Sequence, residues 1–411
     1  MQTATHSGLD QKTIDLVKAT VPILQERGDE ITKCFYKRMF ENHPELKNIF
    51  NQTNQRKGDQ SKALANTVYA AAAHIDQLEA ILPAVMPIAH KHRSLNIKPE
   101  HYPIVGENLL AAMREVLTEE VATDEIIEAW KKAYGEIANV FISIEKTMYD
   151  EVLNTTGGWV GFRDFKVVKK VKESSVITSF YLEPLDNDAI PVFEPGQYIT
   201  VKADIPGEPH THQRQYTLSC APSDKQYRIS VKREDAIGEN PAGIVSTFLH
   251  QQVEEGDILP ISAPSGDFVL DKSKRPLVLI SGGVGLTPMM SMLEETIINQ
   301  PDREIIFIHA ARSGKVHAMK ERLLDISAEH KQVSTYFAYN EPDAEDEGKF
   351  HHYGYINDTL LNSALPGTDT ACYFCGPKPF MRAMYKNLTD YGMNPEDIRF
   401  EIFGPAEDIT A

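Results

Sequence analysis

The stretch Leu277-Val278-Leu279-Ile280-Ser281-Gly282-Gly283-Val284-Gly285-Leu286-Thr287-Pro288 decides the fold. The apolar run Leu277 to Ile280 reads as a buried strand, and the glycines behind it let the backbone turn sharply and approach an anion. Pro288 suits the first turn of a helix, where its missing N–H costs nothing and the remaining free N–H groups favour a pyrophosphate. Pro288 also stands where the usual dinucleotide fingerprint has its third glycine, so the string alone reads equally as a tight strand-to-helix turn. Its surroundings favour the nucleotide. Helix Pro288 to Asn299, strand Glu304 to His309, strand Ala371 to Phe374, helix Pro379 to Asp390 and strand Arg399 to Phe403 alternate through residues 271–411. That alternation predicts a mostly parallel, doubly wound α/β sheet.

Working towards the N-terminus, the hydrophobic period changes twice. Across residues 160–270 it is two, with Val176, Thr178, Phe180 and Leu182 on one face and Tyr227, Ile229 and Val231 on another. This predicts antiparallel strands closed into a small β-barrel. The small, polar run Asn154-Thr155-Thr156-Gly157-Gly158 suits a junction, and 151–159 is read as a linker. Before it, residues 1–150 read as an all-α domain. Ile14, Val17, Val21 and Leu24 share one helical stripe and Ile31, Phe35 and Met39 another; Asp10 is a natural N-cap, Pro44, Pro83 and Pro99 punctuate helices, and later helices are expected over Pro103 to Leu117 and Asp124 to Asp150.

Composition narrows the class. The 411 residues, at ~150 per domain, suit two or three domains. A net charge of −17 repels nucleic-acid phosphates and anionic lipid surfaces, which argues against both as partners. Cys34, Cys220, Cys372 and Cys375 are too few and too scattered to staple the chain, so a reducing, cytoplasmic setting is expected. Met1 to Asp10 has neither the basic stretch nor the apolar run of a secretory leader.

In the barrel region, Arg214-Gln215-Tyr216-Thr217 follows Pro195-Gly196-Gln197-Tyr198 and precedes Gly243-Ile244-Val245-Ser246. An arginine neutralises a pyrophosphate, a tyrosine stacks on a flat isoalloxazine ring, and a hydroxyl bonds a ring nitrogen. Residues 160–411 thus resemble the ferredoxin-reductase family of FAD and NAD(P)H domains. Cys375-Gly376-Pro377 with Phe380-Met381 is similar to that family's second nicotinamide element. The Cys372-x-x-Cys375 spacing also suits a redox pair or half a zinc site, but there is no second pair. The two are read as packing residues, with Cys375 near the nicotinamide.

In the helical third, His90 and His92 lie about 200° apart around a helix axis, so only one can face a given pocket. Upstream stand Phe35-Tyr36-Lys37-Arg38-Met39-Phe40 and Asn54-Gln55-Arg56-Lys57-Gly58-Asp59, the latter flanked by Phe50 and Gln60. Together with the reductase motifs these make nearly the whole chain resemble the flavohaemoglobin family. That resemblance implies haem b, FAD and NADH or NADPH as cofactors, with His92 the iron ligand, Phe50 on the porphyrin face, and Tyr36, Gln60 and Leu64 on the distal side. It implies a proximal relay of Tyr102 and Glu145, in which the carboxylate makes the histidine more electron-donating. Lys91, which alone reads equally as an exposed charge, and Glu401 match positions that tune both redox groups.

For FAD, Tyr198, Arg214, Gln215, Tyr216 and Thr217 match the family, as does the C-terminal Glu401-Ile402-Phe403-Gly404-Pro405. For NAD(P)H, the matches are Gly283, Val284, Gly285, Leu286, Thr287 and Pro288, and Cys375, Gly376 and Pro377. The implied activity is nitric oxide dioxygenase: NAD(P)H reduces FAD, FAD reduces haem iron, and nitric oxide with dioxygen becomes nitrate. No separate reductase is needed, and a monomer is expected. Two other readings stay open, a haem-based oxygen or nitric oxide sensor and a general NAD(P)H:flavin reductase. The choice between NADH and NADPH is also open, because Arg312 after the second strand of the α/β region can meet a 2′-phosphate or face water.

Overall fold

The computed structural model describes residues 8–50, 59–238, 240–404 and 409. Asp10 caps the first helix, its carboxylate accepting the Thr13 N–H at 2.9 Å. The helices are α1 (Gln11–Ala19), α2 (Val21–Asn42), α3 (Asp59–Ala73), α4 (Leu82–Ser94), α5 (His101–Val116) and α6 (Asp124–Asn154). Ile14, Val17, Leu24, Ile31, Phe35 and Met39 bury the stripes of α1 and α2 against Leu109 and Met113 of α5 and Trp130 of α6. Thr123 caps α6, which runs four residues beyond Asp150. The segment read as a linker from 151 therefore begins inside a helix, since nothing in Glu151-Val152-Leu153-Asn154 stops one before Thr155.

Contacts divide the chain into two compact units. The first holds residues 1–155 together with Trp159–Gly161 and Asp204–Gln213. In it the Thr211 N–H donates to Asn48 Oδ1 at 2.9 Å.

Beyond the helical residues the chain forms two six-stranded sheets among the described residues. The first sheet comprises β1 (Phe162–Lys172), β2 (Ile177–Pro184), β3 (Tyr198–Ala203), β4 (His212–Thr217), β5 (Tyr227–Lys232) and, after helix α7 (Ile244–Gln251), β6 (Ile258–Ser262). It is antiparallel, in the order β4-β3-β6-β1-β2-β5. A bridge between Leu218 and Ile229 joins the two ends, so the sheet closes into the expected barrel. Phe180, Leu182, Tyr227, Ile229 and Val231 fill it.

The second sheet comprises β7 (Leu277–Gly282), β8 (Ile305–Ala311), β9 (Val333–Tyr339), β10 (His352–Tyr353), β11 (Ala371–Cys375) and β12 (Ile398–Glu401), all parallel, in the order β10-β9-β8-β7-β11-β12. Helices α8 (Leu286–Asn299) and α9 (Lys320–Glu329) cover one face, and α10 (Asp358–Ala364) and α11 (Lys378–Asp390) the other. The last strand ends at Glu401, so Ile402 and Phe403, expected to continue it, leave the sheet. The strand order reverses between β7 and β11, which is where such sheets open a crevice for ligands. No helix among the described residues is long and apolar enough to cross a membrane.

Candidate functional site

Three helices of the first unit converge on one imidazole. His92 comes from the last turn of α4, Tyr102 from the first turn of α5 and Glu145 from the middle of α6. The His92 Nδ1–H donates to Glu145 Oε1 at 2.7 Å, and the Tyr102 hydroxyl donates to the same oxygen at 2.6 Å. Tyr102 Oη also lies 3.2 Å from Nδ1. Glu145 is buried, at 2% exposure, so its charge is held by these two donors and not by water. Burial, then the Glu145 charge and its hydrogen bond, push the Tyr102 phenol pKa up and keep it a donor. With Nδ1 committed, the lone pair falls on Nε2, which makes no hydrogen bond to a described residue.

Sequence reading missed the residues that hold this cluster. The Tyr134 hydroxyl donates to the Tyr102 carbonyl at 2.6 Å, and the Phe141 ring lies 5.8 Å from that of His92. A Cβ on Gly106 would sit 2.5 Å from the Tyr134 ring, so the glycine makes room for it. A glycine one turn after Tyr102, inside a helix, was the available signal.

Tyr36, buried on α2, meets Phe50 edge-on at 5.8 Å and stacks on Phe40 at 5.9 Å. Gln60 and Leu64 lie one turn apart on α3, where Leu64 packs against the helical core. Lys91 is half-buried on α4. Asn54 to Gly58 lie outside the described residues. Among the described residues no group of three His, Cys, Asp or Glu side chains gathers to hold a bare metal ion. One imidazole with a carboxylate behind it instead fits iron whose remaining ligands come from a porphyrin.

In the second unit, Tyr198 opens β3 and Arg214, Gln215, Tyr216 and Thr217 end β4, the first three half-buried and Thr217 buried. Gln215 Nε2 donates to Thr200 Oγ1 at 3.4 Å across these strands. Burial lowers the Arg214 pKa, and an arginine so placed stays charged and suits an anion. Gly196 turns the chain into β3 at φ 107°, and a Cβ there would lie 2.0 Å from the Phe268 carbonyl oxygen.

At the strand-order reversal, the loops after β7 and β11 touch backbone to backbone. A Cβ on Gly285 would lie 2.2 Å from the Cys375 carbonyl oxygen. Gly283, at φ 56°, makes the turn, and Val284 leads into α8, whose first residues Leu286, Thr287 and Pro288 are buried. On the facing loop Gly376 is half-buried and Pro377 exposed. Cys372 and Cys375 are buried free thiols whose pKa values burial raises, and they belong to the cores on opposite faces of the parallel sheet, Cys372 to one and Cys375 to the other.

Glu401 lies beside Cys375 in the β11–β12 register. Its Oε2 is buried and has no hydrogen-bond partner among the described residues, and burial, with the Asp267 charge, raises its pKa to about 8. Ile402 is half-buried, Phe403 and Gly404 are exposed, and Pro405 lies outside the described residues.

The folded chain holds the Glu401 proton more tightly than the unfolded one, whose ordinary value is 4.5. This group's contribution to stability is therefore greatest below about 4.5 and is lost as pH rises through about 8. In cofactor-free protein, Glu401→Gln should flatten that slope, raising the urea midpoint more at about pH 9 than at about pH 5. A pH slope equal to that of the parent would contradict the shift.

An all-α unit with a carboxylate-backed imidazole, a barrel carrying Arg-x-Tyr-Thr and a nucleotide-type parallel sheet together define a haem- and flavin-dependent oxidoreductase. The globin family matches residues 33–141, the oxidoreductase FAD-binding domain 164–270 and the oxidoreductase NAD-binding domain 279–386. The flavohemoprotein of Oceanobacillus iheyensis is 59% identical over 403 residues, covering 98% of each chain, and that of Bacillus subtilis is 51% identical over 400 residues, covering 97% of this chain and 98% of its own. The crystal structure of a Malassezia yamatoensis flavohemoglobin with bound FAD and haem superposes with a TM-score of 0.83 at 30% identity, over 97% of this chain and all of that one. The FAD/NAD-binding domain of a Vibrio cholerae nitric oxide dioxygenase gives 0.55 at 37% identity, over 59% of this chain and 99% of that one. The chain belongs to the flavohaemoprotein family, and its cofactors are haem, FAD and NAD(P)H. It is an NAD(P)H-dependent oxidoreductase that carries its own reductase module.

Proposed function

We propose that this flavohaemoprotein is a nitric oxide dioxygenase, with haem in residues 1–150, FAD in 160–270 and NAD(P)H in 271–411. Each nitric oxide takes one dioxygen and one electron to give nitrate, so the charge and atoms balance with NAD(P)H as the electron source. When bound, haem supplies iron for oxygen chemistry, and FAD splits the electron pair of a hydride into single electrons.

The observation that carries the reading is the contact of Glu145 with His92 Nδ1 at 2.7 Å, braced by Tyr102. Drawing the Nδ1 proton towards a buried carboxylate increases electron donation from Nε2, which favours oxygen activation over simple carriage. In this reading His92 holds the iron and Phe50 packs on the porphyrin. Tyr36, Gln60 and Leu64 shape the distal side, where the Tyr36 phenol would donate a hydrogen bond to the bound oxygen substrate. Lys91 and Glu401 tune the redox groups.

Tyr198, Arg214, Gln215, Tyr216 and Thr217 hold FAD with the segment Glu401–Gly404 over it. The Gly283–Pro288 loop and Cys375-Gly376-Pro377 take the nicotinamide coenzyme at the crevice.

The test is anaerobic addition of NADH to purified protein, followed by dioxygen and nitric oxide with nitrate quantified. Nitrate formed in step with NADH consumed is the expected result. Reduction of flavin and haem without nitrate would overturn the dioxygenase reading. Replacing Tyr216 by alanine should weaken FAD binding on the order of tenfold or more through lost ring stacking, leaving the spectrum of chemically reduced haem intact. Unchanged flavin affinity would remove Tyr216 from the site.

A further inference from the structure

Helix α8 starts at the glycine loop and is apolar along the face it buries, with Met289, Met290, Met292 and Leu293 fully inaccessible. Glu294 interrupts that face. It is only 7% exposed, and a carboxylate is kept in such a place only when it is fully paired.

Two of its partners lie on the flavin barrel. Glu294 Oε2 accepts the Ala221 N–H at 3.0 Å, and Oε1 accepts from Arg228 Nη2 at 3.3 Å, with Arg322 Nε of α9 at 3.5 Å. Arg228 is itself 8% exposed; it donates to the Ser219 carbonyl and, through Nε, to Ser219 Oγ at 3.2 Å. Ser219 to Ala221 is the segment that leaves the flavin strand one residue after Arg214-Gln215-Tyr216-Thr217. A second contact of the same helix lies just before β3, where a Cβ on Gly196, two residues before Tyr198, would come within 2.9 Å of Met292 Cε.

We propose that Glu294 is a positioning residue for hydride transfer, its carboxylate fixing the helix of the nicotinamide loop against the strand of the flavin motif through Ala221 and Arg228. The argument is geometric. Apolar side chains of the same volume stabilise a buried contact as well as an ion pair does, but they do not set one direction of approach. Two donors on separate carboxylate oxygens do, and a reaction between two bound rings depends steeply on that approach. The inference rests on the flavin and nicotinamide assignments above and is independent of the nitric oxide chemistry.

The test uses the full-length holoprotein with Glu294→Ala and Glu294→Gln. Anaerobic stopped-flow at saturating NADH should show flavin reduction slowed on the order of tenfold to a hundredfold in the alanine variant, the loss expected from a displacement of ~1 Å. FAD content and the spectrum of chemically reduced haem should match the parent, hydrogen exchange at the Ala221 amide should accelerate, and the glutamine variant should fall between. A reduction rate within about twofold of the parent, with Ala221 exchange accelerated, would overturn the proposal. So would loss of FAD from both variants, which would make Glu294 a stability residue. Failure of the flavin assignment itself would show separately, as unchanged FAD affinity in Tyr216→Ala.

Discussion

Replacing His92 by alanine should give a protein that folds, binds FAD and passes electrons from NADH to a soluble dye, yet contains no haem. The expectation follows from how the imidazole is held. Its Nδ1 is committed to Glu145 at 2.7 Å, which leaves Nε2 as the donor suited to iron, and no group of three metal-ligating side chains is available nearby among the described residues. Removing the ring therefore removes the coordinate bond outright. The Tyr102 hydroxyl still donates to Glu145, so the buried carboxylate keeps one partner and the helices keep their packing. Absorbance at the haem band per mole of flavin is the measurement. A stoichiometric haem content in the variant would exclude His92 as the ligand. Recovery of the band with added imidazole would separate loss of the ligand from loss of the pocket.

A second large effect is expected for Gly285→Ala. The new methyl would meet the Cys375 carbonyl oxygen at 2.2 Å, its carbon at 2.4 Å and the Gly376 nitrogen at 2.8 Å, all of them backbone atoms that cannot swing aside. Relief requires the loops after β7 and β11 to part. Overpacking of this kind costs about 3 kcal/mol or more when no side chain can yield. The variant should unfold at lower temperature and bind NADH more weakly, while dioxygen binding by chemically reduced haem is unchanged. Gly135→Ala is the control: beyond its own helical backbone no described atom lies within 4 Å of its added Cβ, and in a helix the change should be neutral or stabilising by up to about 1 kcal/mol. Parental stability and NADH affinity in Gly285→Ala would contradict the close approach.

The sequence carried the elements better than their meetings. A four-residue apolar strand, a glycine turn and a proline in the next helical turn are local signals, and each appears where local chemistry puts it, although α8 starts at Leu286, ahead of the expected Pro288. The strand order that makes the glycine loop face Cys375-Gly376-Pro377 is not local, and only the fold supplies it. His92, Tyr102 and Glu145 were visible in the sequence as a family match, whereas their sharing of one carboxylate oxygen depends on three helices crossing at one point. Tyr134 escaped notice because a tyrosine in a helix reads as core. Glu294 escaped because a glutamate beside Glu295 reads as a solvated helix face, and its burial is decided by Arg228, 66 residues away. The grouping of residues 204–213 with the helical unit has no sequence signal at all, since it rests on contacts such as Thr211 with Asn48, 163 residues apart.

The parallel sheet ends on one side at β10, a strand of only two residues, His352 and Tyr353. The flanking His351 N–H donates to the Phe337 carbonyl at 2.8 Å and the Gly354 N–H to the Tyr339 carbonyl at 2.7 Å, so pairing at this edge is confined to a few residues. A long, flat border strand would offer a row of open amide and carbonyl groups on which another chain could build, and nascent parallel sheets, slow to assemble, are the most exposed to that hazard. A border this short gives an incoming strand almost nothing to extend, which should let the nucleotide-binding half form at high cellular concentration without templating fibrillar or amorphous aggregates along that side.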